Sequence, residues 1–216
     1  MFGVLSVSAE KNPGRLETLI GSMFAGKSEE LIRLLRRAVI AKKTVHVFKP
    51  SIDTRDGTDR VMSHSRIEIP ATPIDQDHPE TILHTNTEWN RTLNPTCPAD
   101  PIEGWVWDAD VVGIDEAQFF APGIVNVVDM LVKMGKRVII AGLGLDYRGE
   151  PMGSMPLLTV KADHIIHLTA VCTICGQPAI RTQRLVPSEA YVEIGGADKY
   201  AARCRLHFNP DPNSHE

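Results

Sequence analysis

The hydrophobic and polar positions of the chain divide most of it into short apolar segments and amphipathic segments that alternate. Apolar runs predict buried strands at 16–20, 44–48, 109–114, 137–141 and 164–168, with a weaker candidate at 66–69. Helical spacing of apolar residues predicts a helix at 28–42, and helix-like sequence predicts two more at 122–134 and 154–161. Because strands alternate with helices, we expect an α/β fold with a parallel sheet flanked by helices.

Changes in composition along the chain predict four parts. They are a tail at 1–14, the α/β domain at 15–169, a small lobe with cysteine pairs and glycines at 170–208, and a second tail at 209–216. Within the α/β domain, the polar residues of 51–65 predict a loop. The stretch 72–104 has no clean period, so no element is predicted there, and the structure and role of 85–107 stay open.

Composition and charge exclude several classes of protein. The chain has 216 residues, of which 43% are hydrophobic, and this is enough to bury a sizeable core. A net charge of −4 argues against non-specific binding to a nucleic-acid polymer. The sequence contains no apolar run of membrane-spanning length, and residues 1–10 lack the features of a signal peptide. We therefore expect a cytoplasmic protein that binds neither a membrane nor a nucleic-acid polymer.

A glycine-rich segment lies between the first predicted strand and the first predicted helix. It fits the pattern G-x-x-x-x-G-K-[ST] and consists of Gly21, Ser22, Met23, Phe24, Ala25, Gly26, Lys27 and Ser28. The glycines let the backbone curl around an anion, and the following helix offers its positive N-terminal end. Lys27 can reach the outer phosphates of a nucleotide, and the Ser28 hydroxyl can bind Mg²⁺. A chance match is the alternative, but the flanking strand and helix favour a nucleotide site.

Two adjacent acids follow the buried strand at 109–114. Asp115 stands at a strand end, where it could hold Mg²⁺, and the alternative is an ordinary solvated carboxylate. Glu116 could face the terminal phosphate of a nucleotide. It could take a proton from a substrate hydroxyl, as in a kinase, or activate water, as in an ATPase. The motif alone leaves these two roles open.

Two pairs of metal-binding residue types stand in the C-terminal lobe. Two residues separate Cys172 from Cys175, and two separate Cys204 from His207, so the members of each pair can reach one ion. Together they form a closed Cys₃His set, the composition of a structural Zn²⁺ site. A redox Cys-x-x-Cys is the alternative, but it leaves the second pair unexplained. Cys97 has no partner nearby and is predicted to be a free thiol.

The predicted metal site would join the two ends of a long loop, 176–203. This loop contains two consecutive glycines, Gly195 and Gly196, which permit a close approach of the backbone to a ligand. Tyr200 adds an aromatic ring and a hydroxyl group. A loop held at its base and mobile at its tip suits a lid that closes over a substrate. The alternative for the two glycines is an ordinary turn.

Several motifs taken together resemble the type II thymidine kinase family, over about residues 14–208 and in the same order. They are the segment 21–28, the sequence Asp-Glu-Ala-Gln-Phe-Phe at 115–120, the glycine-containing loop 142–153, the cysteine pair, the sequence Gly-Gly-Ala-Asp-Lys-Tyr at 195–200, and the Cys-x-x-His pair. The combination of these motifs is much more specific than any one of them.

The resemblance implies an ATP-dependent thymidine kinase, which transfers the γ-phosphoryl group of ATP to the 5′-hydroxyl of thymidine. Glu116 resembles the general base of the family, while Ser28 and Asp115 resemble its Mg²⁺ ligands. Besides the segment 21–28, ATP would be contacted by Arg55, Asp115, Glu116, Ala117 and Gln118. Arg55 would stabilise the charge that is transferred.

The resemblance also implies where thymidine binds and how the enzyme is regulated. Thymidine would be bound by Met23, Phe119, Leu143, Tyr147, Glu193, Ile194, Gly195, Gly196 and Tyr200, the last five in a loop that the family uses as a lasso. Bulky apolar residues are buried by default, so Met23, Phe119 and Tyr147 could instead be packing residues. Members of the family are usually homotetramers that dTTP inhibits at the substrate site.

Two other functions compete with the kinase. One is an ATPase in which Glu116 polarises water, usually with a protein or polymer partner. The other is a zinc module that binds nucleic acid and has lost catalysis. The absence of a basic track argues against the first. The presence of Lys27, Ser28, Asp115 and Glu116 together argues against the second.

Overall fold

A computed structural model of the protein describes residues 13–55, 57–63, 65–84, 108–187 and 190–210. The predicted tail at 1–14, apart from its last two residues, lies outside these ranges. The same holds for the stretch 85–107 with Cys97, and for all but the first two residues of the predicted tail at 209–216.

The α/β prediction is confirmed by a sheet of parallel strands with helices on both faces. The strands are β1 (Arg15–Ile20), β2 (Val45–Pro50), β3 (Arg60–Met62), β4 (Glu68–Pro70), β5 (Thr72–Ile74), β6 (Val111–Ile114), β7 (Arg137–Gly142), β8 (His164–His167), β9 (Ala170–Val171), β10 (Pro178–Ala179), β11 (Arg181–Arg184) and β12 (Tyr200–Arg203). The helices are α1 (Lys27–Ile40), α2 (Ile124–Lys133) and α3 (Met155–Lys161). The six strands of the main sheet stand in the order β5-β2-β6-β7-β1-β8, and each adjacent pair is parallel.

The sheet separates two hydrophobic cores, and the alternation of side chains along its strands explains why. In β7, Val138 and Ile140 pack with α2 and α3, whereas Ile139 and Ala141 pack with α1 on the opposite face. Both faces of a central parallel strand are covered, so such a strand is a continuous apolar run. This pattern made β7 easy to predict.

Two short strands differ from the sequence prediction. The segment 51–65 is predicted as a loop throughout, but β3 lies within it and pairs antiparallel with β4. In β3 only Val61 is buried, so three residues provide no recognisable period. Strand β5 contains Pro73 and lies at the edge of the sheet, the usual place for proline in a strand.

The C-terminal segment forms a small lobe of two antiparallel ribbons, β9 with β10 and β11 with β12. Its core contains Ala170, Cys172, Ala179 and Ala202, and Phe24 and Ala25 of the glycine-rich segment pack against it. The lobe therefore rests on the turn that follows β1. The predicted domain boundary near residue 169 stays a prediction. Among the described residues, none of the helices combines the length and the apolarity needed to cross a membrane.

A buried histidine makes the stability of the fold sensitive to acid. His46 of β2 lies in register with Val112 of β6 and is 4% exposed. Burial lowers its pKa to about 4, against the opposing effect of the charge on Asp108. In the unfolded chain the pKa of histidine is about 6.5. Between these two values the unfolded chain binds more protons, so acidification destabilises the folded state.

We expect the free energy of unfolding to fall more steeply in the wild type than in His46→Leu as the pH drops from 6.5 to 4. The difference should reach about 3 kcal/mol over this interval, measured by urea unfolding at each pH. His164→Leu is the matched control, because His164 lies exposed in the edge strand β8 and its loss should leave the wild-type slope intact. If the free energy of unfolding fell equally steeply with pH in the wild type and in His46→Leu, the prediction that His46 is buried in its neutral form would be wrong.

Candidate active site

A cavity of about 760 Å³ opens where the main sheet meets the C-terminal lobe. Four neighbouring strands, β2, β6, β7 and β1, direct their carboxyl ends toward it, and the segment that follows each strand contributes lining residues. This is the edge of an open α/β sheet at which ligands are usually bound. Residues from the lobe, including Thr182 and Tyr200, form the opposite wall.

The glycine-rich segment forms the turn between β1 and α1. Gly26 has a φ of +81° and lies immediately before α1, in a conformation that favours glycine. Gly21 cannot accept a side chain, because a Cβ atom there would lie 2.5 Å from the carbonyl oxygen of Leu168. Lys27 is buried and donates a hydrogen bond of 2.8 Å to the carbonyl oxygen of Ser22, which closes the turn. Burial lowers the pKa of Lys27, against the attraction of Glu116 and Asp115.

The two acids that follow β6 differ in their electrostatic environment. Asp115 is 5% exposed, and its pKa rises to about 7 through burial and the neighbouring charge of Glu116. A hydrogen bond from the Ser28 side chain partly opposes this rise. Burial would also raise the pKa of Glu116, but the charges of Arg55 and Lys27 outweigh it, so the pKa is lowered. Glu116 is therefore the acid that stays ionised.

Two hydrogen bonds hold the carboxylate of Glu116 in the cavity. Its backbone has a φ of +49°, in the left-handed region that non-glycine residues rarely adopt. Arg55 donates to one carboxylate oxygen and the Gln118 amide donates to the other. The amide oxygen of Gln118 accepts a hydrogen bond of 2.9 Å from the backbone N–H of Leu143, so the NH₂ group must face Glu116.

All of the residues predicted to bind the nucleoside come together in the same cavity. Those that line it are Met23, Phe119, Leu143, Tyr147, Glu193, Ile194, Gly195, Gly196 and Tyr200. Of the residues predicted to bind ATP, those that line it are Met23, Phe24, Gly26, Lys27, Ser28, Arg55 and Glu116. The remaining predicted ATP residues lie outside this lining: Gly21, Ser22, Ala25, Asp115, Ala117 and Gln118. The predicted roles of all these residues, inside and outside the lining, stay predictions.

Hydrogen bonds within residues 193–200 of the lobe hold the loop that contains Gly195 and Gly196. The Tyr200 hydroxyl donates a hydrogen bond of 2.7 Å to the carbonyl oxygen of Glu193. The Lys199 ammonium pairs with the Glu193 carboxylate and donates to the carbonyl oxygen of Ile194 at 2.9 Å. The Gly196 N–H donates to Asp198 at 2.9 Å. These bonds give the loop a defined shape above the cavity.

The sequence prediction missed three residues that shape the cavity. Thr182 accepts a hydrogen bond of 3.0 Å from the backbone N–H of Met23, which ties the lobe to the glycine-rich turn. Tyr191 lines the cavity. The guanidinium of Arg184, buried beneath the loop, donates to the carbonyl oxygen of Tyr191 at 2.9 Å and lies 3.6 Å from the ring centroid of Tyr147. Such contacts join positions far apart in the chain, so no local pattern signals them.

The four predicted metal ligands converge within the lobe. One potential ligand atom from each of Cys172, Cys175, Cys204 and His207 lies within 4.8 Å of all the others. The sulfur atoms of Cys175 and Cys204 are 3.7 Å apart, and the Cys204 sulfur lies 3.3 Å from His207 Nδ1. A tetrahedral Zn²⁺ with Zn–S bonds of about 2.3 Å requires sulfurs about 3.8 Å apart, so the donor set fits this ion.

Hydrogen bonding within the lobe favours the anionic form of one ligand. Burial on its own would raise the pKa of the Cys172 thiol. Hydrogen bonds from the backbone of Cys204, Cys175 and Ile174 outweigh burial and lower this pKa to about 5. The thiolate is the form of cysteine that binds a metal ion.

Comparison with known proteins agrees with this geometry. The sequence profile described as thymidine kinase matches residues 14–208. The chain is 44% identical over 200 residues to a protein named thymidine kinase from Coprothermobacter proteolyticus, covering 90% of each chain. It is 43% identical to one from a Rhodothermus species, covering 91% of this chain and 82% of the relative. It is 42% identical to one from Deinococcus deserti, covering 90% and 94%.

The match extends over both the sheet and the small lobe, so it includes every segment that lines the cavity. The motifs at the carboxyl ends of β1 and β6 and the four ligand residues all lie within the matched range. The chain therefore belongs to the thymidine kinase family.

Proposed function

We propose that the protein phosphorylates thymidine, transferring the γ-phosphoryl group of ATP to the 5′-hydroxyl and releasing dTMP and ADP. The observation that carries the proposal is the place of Glu116. This ionised acid lies in one cavity with Lys27 of the glycine-rich segment 21–28, which we propose as the phosphate-binding turn, and with the loop 193–196 of the lobe. A base between a phosphate site and a nucleoside site is what a kinase requires, whereas an ATPase needs only water there.

Each group in the proposed reaction has a defined task. Glu116 accepts the proton of the 5′-hydroxyl while the oxygen of that hydroxyl forms a bond to the γ-phosphorus. The bond from the γ-phosphorus to the oxygen bridging it to the β-phosphorus breaks, and ADP leaves. Lys27 and Arg55 stabilise the negative charge on the phosphoryl group during transfer. Arg55 also keeps Glu116 ionised before the substrate binds.

The residues around Asp115 fit a magnesium ion. The Ser28 side chain is hydrogen-bonded to the Asp115 carboxylate, so a hydroxyl and an acid, both oxygen ligands, lie side by side next to the phosphate-binding turn. We propose that Ser28 and Asp115 hold Mg²⁺, which neutralises charge on the β- and γ-phosphates when it is bound with ATP.

The thymidine site is proposed between the sheet and the lobe. Met23, Phe119, Leu143 and Tyr147 offer an apolar surface for the base, and the loop 193–196 offers backbone groups to its polar edge. Deoxyuridine is expected to be a comparable or weaker substrate, because one methyl group contributes only about 1–3 kcal/mol in a pocket.

Three further properties are proposed on the family resemblance alone. They are a homotetrameric assembly, inhibition by dTTP at the nucleoside site, and a cytoplasmic location.

The transfer of label from [γ-³²P]ATP tests the proposed activity. We expect the label to appear in dTMP when thymidine is present, with little in free phosphate. Deoxycytidine, deoxyguanosine and a reaction without nucleoside serve as controls. Free phosphate released at the same rate with and without nucleosides would indicate an ATPase and remove the kinase proposal.

Replacement of the proposed base should separate binding from chemistry. Glu116→Gln keeps the shape of the side chain but cannot accept the proton, so kcat should fall by roughly 10²–10⁴-fold. ATP binding, measured by calorimetry, should persist. Glu80→Gln is the matched control, because Glu80 is exposed and lies outside the cavity lining, and the kcat of this variant should equal that of the wild type. A Glu116→Gln variant with nearly normal kcat would exclude Glu116 as the base.

We also propose that the Cys₃His set holds a structural Zn²⁺ that joins the ends of the loop 176–203. Metal analysis should find about one zinc ion per chain, and Cys175→Ser should lose it. Loss of zinc should make this loop much more sensitive to proteolysis, because its base is no longer joined. Cys97→Ser is the control and should retain the metal. A zinc-free preparation with full activity would refute a structural role for the ion.

A further inference from the structure

A buried lysine lies beneath the active site, outside the cavity lining. Lys49 of β2 is 1% exposed, and charged side chains are almost never buried to this degree without partners. Its ammonium group lies 3.1 Å from the Asp53 carboxylate and donates to the carbonyl oxygens of Gly57 at 3.0 Å and Arg60 at 3.2 Å. An ammonium has three N–H donors, so all three are used.

The three acceptors of Lys49 all belong to the segment that leaves β2. Asp53, Gly57 and Arg60 span the connection from β2 to β3, so one side chain of the sheet holds this connection at three points. A buried charge that is paired in this way contributes little net stability compared with an apolar residue of the same size. Its contribution lies in fixing the geometry of the segment.

Asp53 transmits this geometry to the active site. One carboxylate oxygen of Asp53 faces Lys49, and the other accepts a hydrogen bond of 2.7 Å from Arg55 Nε. The far side of the Arg55 guanidinium contacts Glu116. An unbroken series of ionic contacts therefore runs from the buried lysine of the sheet through Asp53 and Arg55 to Glu116.

We propose that Lys49 is a positioning residue, which sets the Arg55 guanidinium against Glu116 through Asp53. The catalytic part of this inference rests on the proposed kinase function. Without the ammonium, Asp53, Gly57 and Arg60 lose this side-chain attachment to β2, and Arg55 is held less firmly at the reacting groups. Misplacement of a catalytic group by about 1 Å can reduce the rate of reaction by about 100-fold. Thymidine binds elsewhere in the cavity, so its KM should change little.

The test uses Lys49→Met, which keeps most of the volume of the side chain and removes its charge. We expect kcat to fall by about 10-fold to 100-fold, with the KM for thymidine within about 2-fold of the wild-type value. Lys43→Met is the matched control, because Lys43 is exposed and pairs with Asp110 outside the cavity lining, and it should keep the wild-type kcat.

A double-mutant cycle separates positioning from a general loss of structure. If Lys49 acts through Arg55, then Lys49→Met should reduce kcat in the wild type but have almost no further effect in Arg55→Met. Equal fold-losses of kcat in both backgrounds would overturn the proposal. If Lys49→Met does not fold, Asp53→Asn replaces it in the cycle. That variant weakens the same series of contacts with almost no change in shape. Its fold-losses of kcat in the wild type and in Arg55→Met then support or overturn the proposal in the same way.

Hydrogen exchange provides a readout that does not depend on kinase activity. In Lys49→Met, backbone amides of residues 51–60 should exchange about tenfold faster, while those of β7 should be unchanged. Unchanged exchange at 51–60 would overturn the anchoring role. If the wild type does not phosphorylate thymidine, the proposed function fails on its own. The exchange of 51–60 then still decides whether Lys49 anchors the segment that carries Arg55.

Discussion

The carboxylate of Glu116 can stay ionised inside the protein only because cations surround it, and much of the site follows from this constraint. A buried charge without a partner costs several kcal/mol, so it must be paired or neutralised. The acids Asp53 and Glu116, whose pKa values are lowered, share a compact region with the cations Lys27, Lys49 and Arg55. These pairings of opposite charges allow a charged centre to lie at the carboxyl edge of the sheet.

The topology of the sheet brings these charges together. Lys27 follows β1, and Asp53 and Arg55 follow β2. Asp115 and Glu116 follow β6. Gln118 is hydrogen-bonded to Leu143, the residue that follows β7. These four strands are adjacent and parallel, so segments that are distant in the chain end at one edge. The apolar alternation within the strands fixes their register, and the register therefore fixes the distances between the charged groups.

The sequence predicts the parts of this arrangement that depend on local patterns. Buried strands such as β7, the helix α1, the phosphate-binding turn and the two pairs of metal ligands all have recognisable spacing. The strands β3 and β5 lack such a signal, because one has a single buried residue and the other contains a proline. Gln118 binds Leu143 across 25 positions, and Met23 binds Thr182 across 159. Contacts of this kind depend on the completed fold, so a single sequence contains no trace of them.

The small lobe supports the glycine-rich turn between β1 and α1 as well as the loop above the cavity. The Ser22 hydroxyl donates to the carbonyl oxygen of Ala179 at 3.2 Å, and Phe24 packs against the core of the lobe beside Cys172. With the Met23–Thr182 bond, these contacts attach the turn to the lobe. Among the described residues, the buried hydrophobic cluster of the lobe consists of four small residues, so it contributes little apolar burial to the stability of the lobe. A metal ion at the Cys₃His set would supply that support, so the same ion would stabilise both the nucleoside and the phosphate sides of the cavity.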